Sequence, residues 1–315
     1  MNAPLCGLLL LNKKSGVTSF DSLAGIKRAF ATRKAGHTGT LDKFASGLLV
    51  TLVGRAVKLA PLFSLCTKEY VGTVRFGEET DTLDPEGAVI AQGPLPSREE
   101  VEAVLPAFRG NIMQAPPAYS AIHIEGRRAH ELVREGKEPE MKKRPVSIYG
   151  LDILSWTPPA AVIRVSCSAG TYIRSLARDI ALAAGSRGYL TSLTRTRVGA
   201  FRLEDAVDDP RQGNGEATVN LANLVKALRP LDRNLFRDLS LPYFLLDDGP
   251  AEAFRHGRPL EGLLPLAPEV AAGGGAPSAG AAAGVFRKNA SQDELLGIVE
   301  RGNNRWSYGH VFAGN

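Results

Sequence analysis

Apolar and polar positions fall along this chain in short blocks, each with its own period. Gly7-Leu8-Leu9-Leu10-Leu11 is an unbroken apolar run that ends in Asn12-Lys13, the pattern of a short buried strand entering a basic loop. Thr18-Ser19-Phe20-Asp21 has the form of a helix capping box, and Phe20, Leu23, Ile26 and Phe30 follow at near-helical spacing. A glycine-rich stretch, Gly36-His37-Thr38-Gly39-Thr40-Leu41-Asp42, comes next, and a helix-like or mixed apolar segment is expected to continue to Leu59. Residues 70–76 alternate as a half-buried strand does, 81–87 form a turn cluster, and 88–91 resume a strand. The acidic spacing at 81–87 resembles a calcium loop, but Pro85 and the lack of further ligands break that pattern, which leaves a turn.

Further along, 98–109 reads as a short amphipathic helix and 114–121 as a rigid extended segment, because Pro116 and Pro117 fix their own φ. A helix is expected over 130–135, and strands over 146–154 and 163–168. Gly170-Thr171 opens a helix with Ile173, Leu176, Ala177, Ile180 and Ala184 on one face, ended by Gly185. Strands and helices alternate without regular βαβ spacing, so the fold class is α+β. From about 206 the texture becomes polar and turn-rich, and short strand-like pieces occupy 243–246, 295–299 and 310–312. This predicts a catalytic-sized domain over 1–235 and a small β-rich domain over 236–315. Within the second, 15 of the 18 residues at 267–284 are Ala, Gly or Pro, which reads as a flexible insertion.

Composition adds exclusions. With 315 residues, 44% of them hydrophobic and 23% charged, the chain is not a disordered one. Its longest apolar runs are far short of a bilayer span, and its start lacks a basic region ahead of the apolar one, so neither membrane insertion nor a signal peptide is expected. Cys6, Cys66 and Cys167 are scattered and odd in number, which argues against a disulfide framework or a zinc site and points to the cytoplasm. The net charge of +5 conceals an asymmetry: residues 1–60 carry nine Lys/Arg against two Asp, and 61–110 carry four against nine Asp/Glu. A basic N-terminal lobe is the footprint of a polyanion-binding face, or simply a solvated basic surface.

Candidate chemistry centres on two residues. Asp42 sits in a glycine-rich loop that is neither a P-loop nor a dinucleotide fingerprint, where a lone Asp is commonly a turn or cap residue. Arg174 lies in the first turn of its expected helix, where a cation faces the positive end of the dipole, so it reads either as a partner to a nearby anion, carboxylate or phosphate, or as a solvent-facing arginine. Tyr70 and Tyr172 are able to stack on a base or to pack in a core.

The motifs taken in order are more specific than any one of them. Gly36-His37-Thr38-Gly39-Thr40-Leu41-Asp42, Lys68-Glu69-Tyr70, Asp81-Thr82-Leu83-Asp84-Pro85-Glu86-Gly87, Pro116-Pro117-Ala118-Tyr119-Ser120-Ala121 and Gly170-Thr171-Tyr172-Ile173-Arg174 resemble the motifs of the TruB family, the bacterial tRNA pseudouridine-55 synthases. The resemblance covers about residues 7–205, and 236–315 is similar, less closely, to that family's PUA domain. It implies a pseudouridine synthase fold with a mixed, largely antiparallel sheet, and isomerisation of the T-loop uridine of tRNA without metal or cofactor. It implies Asp42 as the essential carboxylate, Arg174 as its partner and Tyr70 as the base-stacking tyrosine, with Tyr172 in the same pocket. His37 would help hold the T loop and the extruded base. Lys13, Lys14, Arg33, Lys34 and Lys43 would contact phosphates, and Leu193 and Arg195 would lie near the active site. The resemblance also implies the T arm of tRNA as the partner, met by a monomer. The chain departs from the family pattern at Asn12, where Asp is common, and at Lys43, where Pro is common. A protein that only melts and refolds the tRNA elbow, or an enzyme of this fold acting on another RNA, fits the same features.

Overall fold

The computed structural model describes residues 6–120, 122–124, 126–137, 139–209, 221–270, 281–289, 293–303 and 305–312. Its larger part is built on a ten-stranded mixed sheet. From one edge the order is Val207–Asp208, Gly7–Lys13, Ser46–Val53, Gly188–Val198, Lys68–Phe76, Ala160–Cys167, Arg144–Thr157 and Gly110–Gln114. Two short strands, Ala35–His37 and Phe201–Arg202, pair beside this path. Most neighbours are antiparallel; Gly188–Val198 runs parallel to Ser46–Val53. The α+β expectation holds, with helices Ser19–Ala29, Arg98–Val104 and Ile173–Ala183 against the sheet.

The capping box forms as the sequence indicates: Thr18 accepts from the Asp21 amide and Asp21 reaches back to the Thr18 amide. The segment expected to run helix-like to Leu59 is different. Residues Ser46–Val53 are a strand, and only Gly54–Leu59 coils, as a 3-10 turn. The reason is burial on both faces. Leu49 and Val53 face the core that holds Leu9, Leu11, Val165 and Leu176, while Leu48, Val50 and Leu52 face a second core with Leu8 and Leu10. A strand buried on both sides shows no alternation, so its period is hidden in the sequence. Gly47 and Gly54 bracket it at φ of +99° and +67°, conformations that favour glycine.

That second core also takes Phe236, Tyr243, Phe286, Ile298 and Phe312, which belong to the C-terminal part of the chain. There a four-stranded sheet runs in the order Tyr243–Leu246, Ala282–Arg287, Glu294–Arg301, Trp306–Val311. It is the β-rich C-terminal domain the sequence indicated, and it packs on the face of the large sheet opposite the helix Ile173–Ala183. The flexible-insertion reading of 267–284 does not survive at its ends: Glu269 bridges to Tyr243, and Ala282–Gly284 begin a strand. Small residues stand there because an aromatic needs the space; a Cβ on Gly284 would lie 2.6 Å from the Phe236 ring. The middle of that tract, 271–280, and the polar stretch at 210–220 lie outside the described residues.

Candidate active site

A cleft of about 860 Å³ opens on the helical side of the large sheet, where the loop carrying Asp42, the hairpin turn at 81–87 and the start of helix Ile173–Ala183 meet. Arg174 occupies the first turn of that helix, and its side chain is only 5% exposed. A cation at a helix N-terminus opposes the dipole, so it must be held by acceptors, and the structure supplies them. Nη2 donates to Asp42 Oδ1 at 3.1 Å and to the Tyr119 carbonyl at 3.1 Å. Nη1 donates to the Thr82 carbonyl at 2.8 Å and to Asp84 Oδ2 at 3.3 Å. Nε lies 2.9 Å from Asp42 Oδ2, an ion-pair contact without hydrogen-bond alignment. The fork therefore fixes the plane of the Asp42 carboxylate, which keeps 38% of its side-chain surface open to the cleft.

Asp84 is a site residue that the sequence reading missed, because its turn setting explained it fully. It is 7% exposed, accepts from the Thr82 hydroxyl at 2.6 Å and from the Glu86 amide at 3.0 Å, and shares Arg174 with Asp42. Burial pushes its carboxyl pKa up; the Thr82 hydroxyl, Arg174 and the Glu86 amide pull against that. The signal for it was present only as a second acidic position in one of the ordered motifs.

The Asp42 loop is pinned on both flanks. Ser19, at the start of helix Ser19–Ala29, donates to the Leu41 carbonyl at 3.0 Å and accepts the Leu41 amide at 2.9 Å. On the other flank stands Lys13, which corrects an expectation. Its side chain is fully buried and cannot meet a phosphate. Its ammonium donates to the carbonyls of Ala45 at 2.5 Å, Val17 at 2.6 Å and Lys14 at 3.0 Å, tying 14–17 to 43–45 across the loop. Burial lowers its pKa from the usual 10.5 to about 8. A buried amine whose folded pKa lies below its unfolded value penalises the fold while protonated, and that penalty is relieved as pH rises from about 8 towards 10.5. Chemical denaturation across that window should show the wild type gaining stability relative to a Lys13→Met variant. Parallel pH profiles for the two proteins would refute the assignment.

Tyr70 stands on the central strand Lys68–Phe76, opposite Val165 on one side and Arg195 on the other, and lines the cleft with Leu193. Burial raises its pKa, and the Arg195 guanidinium opposes that. Arg195 lines the same cleft, near the active site as expected. It is 2% exposed, and its donors go to the backbone carbonyls of Leu48 at 2.7 Å and Gly39 at 3.0 Å. It braces the glycine-rich loop through these bonds. Gly47 packs against its backbone so closely that a Cβ would sit 2.4 Å from the Arg195 carbonyl oxygen.

His37 ends the strand Ala35–His37 at the cleft wall; burial first, and Arg195 second, lower its pKa. Its buried Nδ1 has no hydrogen-bond partner among the described residues. Tyr172 lines the opposite wall, with its backbone held reciprocally by the Gln114 amide at 2.8 and 3.1 Å. At the mouth, Lys43 is exposed and 3.3 Å from Glu86, and Phe20 is 71% exposed. Lys14 is half-buried and does not line the cleft. No helix among the described residues is long and apolar enough to cross a membrane.

The chain as a whole is similar to known proteins. A family model described as TruB family pseudouridylate synthase (N terminal domain) matches residues 27–173. The chain is 48% identical over 203 residues to a tRNA pseudouridine synthase B of Borreliella burgdorferi (strain ZS7), covering 64% of this chain and 72% of that protein. A protein of the same name from Gluconacetobacter diazotrophicus is 42% identical over 282 residues, covering 86% of this chain and 89% of its own length. Among solved structures, a chain of a Cbf5-Nop10-Gar1 complex superposes with a TM-score of 0.68 at 24% identity, covering 98% of this chain and 84% of that one. At that identity the likeness is one of fold.

Proposed function

The chain belongs to the TruB family of pseudouridylate synthases, and from that premise we propose that it acts on the T-loop uridine at position 55 of tRNA. It is a tRNA pseudouridine synthase, an isomerase that converts uridine to pseudouridine. The N1–C1′ bond breaks, the uracil turns, C5 bonds to C1′, and the C5 proton moves to solvent while N1 gains one. Atoms balance within the nucleotide and no electrons are exchanged, so the reaction calls for no redox cofactor.

Asp42 is the carboxylate of this reading. It acts as nucleophile or as base on the nucleotide, and both roles need an oriented, accessible oxygen. The observation that carries the proposal is that its carboxylate stands open to the cleft while the buried Arg174 fork fixes it from behind at 2.9 Å. Arg174, with Asp84 behind it, is a positioning residue. A uridine in a folded loop must be turned out to reach this depth, at a cost of a few kcal/mol. Tyr70 offers a ring for the extruded base to stack on, Leu193 and Tyr172 line the same pocket, and His37 and Lys43 lie where the loop backbone would rest. The C-terminal sheet is read as a PUA-like RNA-binding domain, beginning near residue 236. In this reading the protein works in the cytoplasm with its substrate, as a monomer.

The test is chemical mapping of pseudouridine in an unmodified tRNA transcript after incubation with the protein. One pseudouridine in the T loop is expected, and none when that uridine is replaced by cytidine. Modification elsewhere in the tRNA would overturn the T-loop assignment, and an unmodified transcript would overturn the activity. An isolated T-arm hairpin competing no better than an unrelated hairpin would remove the T arm as the recognised element.

A further inference from the structure

A second cleft, of about 500 Å³, lies at the junction of the two sheets. Arg33 and Lys34 line it from the loop after the first helix, Arg55 and Lys58 from the 3-10 turn Gly54–Leu59, and His310 from the last strand, Trp306–Val311. Among the described residues, no Asp or Glu lines it. Among the described residues, Arg33, Lys34 and Lys58 make no ion pair, and all three are exposed. Burial, and then the Lys58 charge, lower the His310 pKa. Val57, Val311 and Phe312 give the cleft an apolar floor.

Uncompensated cations on a water-facing wall raise the local concentration of anions. Their arrangement selects the kind of anion. The charges come from three separate segments, a spread that suits an extended anion better than a small fixed one. Spread cations beside an apolar floor suit an extended chain of phosphates with its sugars. Position gives the second argument. Ala35 lines this cleft, and His37, two residues along the same strand, lines the catalytic one. Two residues of strand span only about 7 Å, so one polyanion is long enough to reach both clefts. The cleft is closed on its far side by the C-terminal sheet, through His310, Val311 and Phe312.

We propose that this inter-sheet cleft binds the sugar–phosphate backbone of the same RNA whose uridine occupies the catalytic cleft, with Arg55, Lys58 and His310 as contacts beyond Arg33 and Lys34. The proposal rests on the reading of the chain as an enzyme of tRNA. The C-terminal sheet thereby completes one wall of an RNA-binding cleft and takes no part in bond exchange.

Equilibrium binding of a tRNA transcript at several salt concentrations, with single-turnover rates at saturating enzyme, decides the matter. Lys58→Ala should weaken binding about three- to tenfold and flatten the slope of log affinity against log salt by about 0.7–0.9, the loss of one phosphate contact. The rate at saturation should stay at the wild-type value, and Lys58→Arg should bind as the wild type does. Wild-type affinity and slope in Lys58→Ala would overturn the proposal, as would a loss confined to the rate at saturation. A wild type that binds tRNA yet forms no pseudouridine would defeat the functional reading alone, and the salt slopes would still judge the cleft. A wild type that binds no tRNA would overturn both.

Discussion

Asp42→Asn is expected to lower pseudouridine formation by about three orders of magnitude or more, the scale set by removing a reacting carboxylate, while tRNA affinity stays within about tenfold of wild type. The amide keeps the shape of the carboxylate and can still accept from Arg174 Nη2, but it neither attacks carbon nor takes up a proton. Fold and chemistry separate well at this residue. Asp42 is open to solvent on its cleft side, so neutralising it buries no new polar group. Arg174 retains Asp84 and the Thr82 and Tyr119 carbonyls. Release of the C5 hydrogen from tRNA labelled at that position follows the reaction directly, since C5 must lose it on joining C1′. Activity within tenfold of wild type would remove Asp42 from the chemistry.

Removing the guanidinium instead damages both the fold and the reaction. In Arg174→Ala two carboxylates face one another without a cation, and Asp84 is nearly sealed from water. Stranding one partner of a buried ion pair costs about 3–5 kcal/mol, and the Thr82 and Tyr119 carbonyls lose their donors as well. Denaturant unfolding should show a loss of that order, with activity falling alongside as the Asp42 carboxylate loses its fixed plane. Arg174→Lys should recover part of the stability and little of the activity, because one ammonium cannot serve four acceptors in a planar fork. The sharper comparison adds Asp84→Asn to Arg174→Ala. With the stranded charge gone, the double variant should be more stable than the sum of the single losses, and still inactive. Additivity within about 0.5 kcal/mol would mean the two residues do not act as a pair.

The site was legible in the sequence unevenly, and the residues explain why. Asp42 and Arg174 were each ambiguous by local pattern, a turn residue and an exposed helix cation, and their pairing came from the order of motifs and not from spacing. Asp84 was hidden because a turn already accounted for it. The strand Ser46–Val53 was obscured by its burial on both faces, which erases the alternation that marks a strand. The Ala/Gly tract concealed a strand start, since low bulk reads as flexibility when the aromatic that needs the space, Phe236, is remote in sequence.

Local rules act over a few residues, so the chain by itself determined what local rules can: the Thr18 cap, the alternating strand at Tyr70, the amphipathic helix behind Arg174 and the concentration of basic residues before position 60. Tertiary structure decided what each of those basic residues does. Lys13 and Lys14 are adjacent and chemically identical, yet one is sealed among carbonyls and the other is half-buried outside the cleft. Arg195 braces a loop, while Lys58 faces water beside the C-terminal sheet. A charge finds its role through whatever the fold brings next to it. Asp42 and Arg174 meet across 132 positions of chain, a distance over which no sequence period carries information.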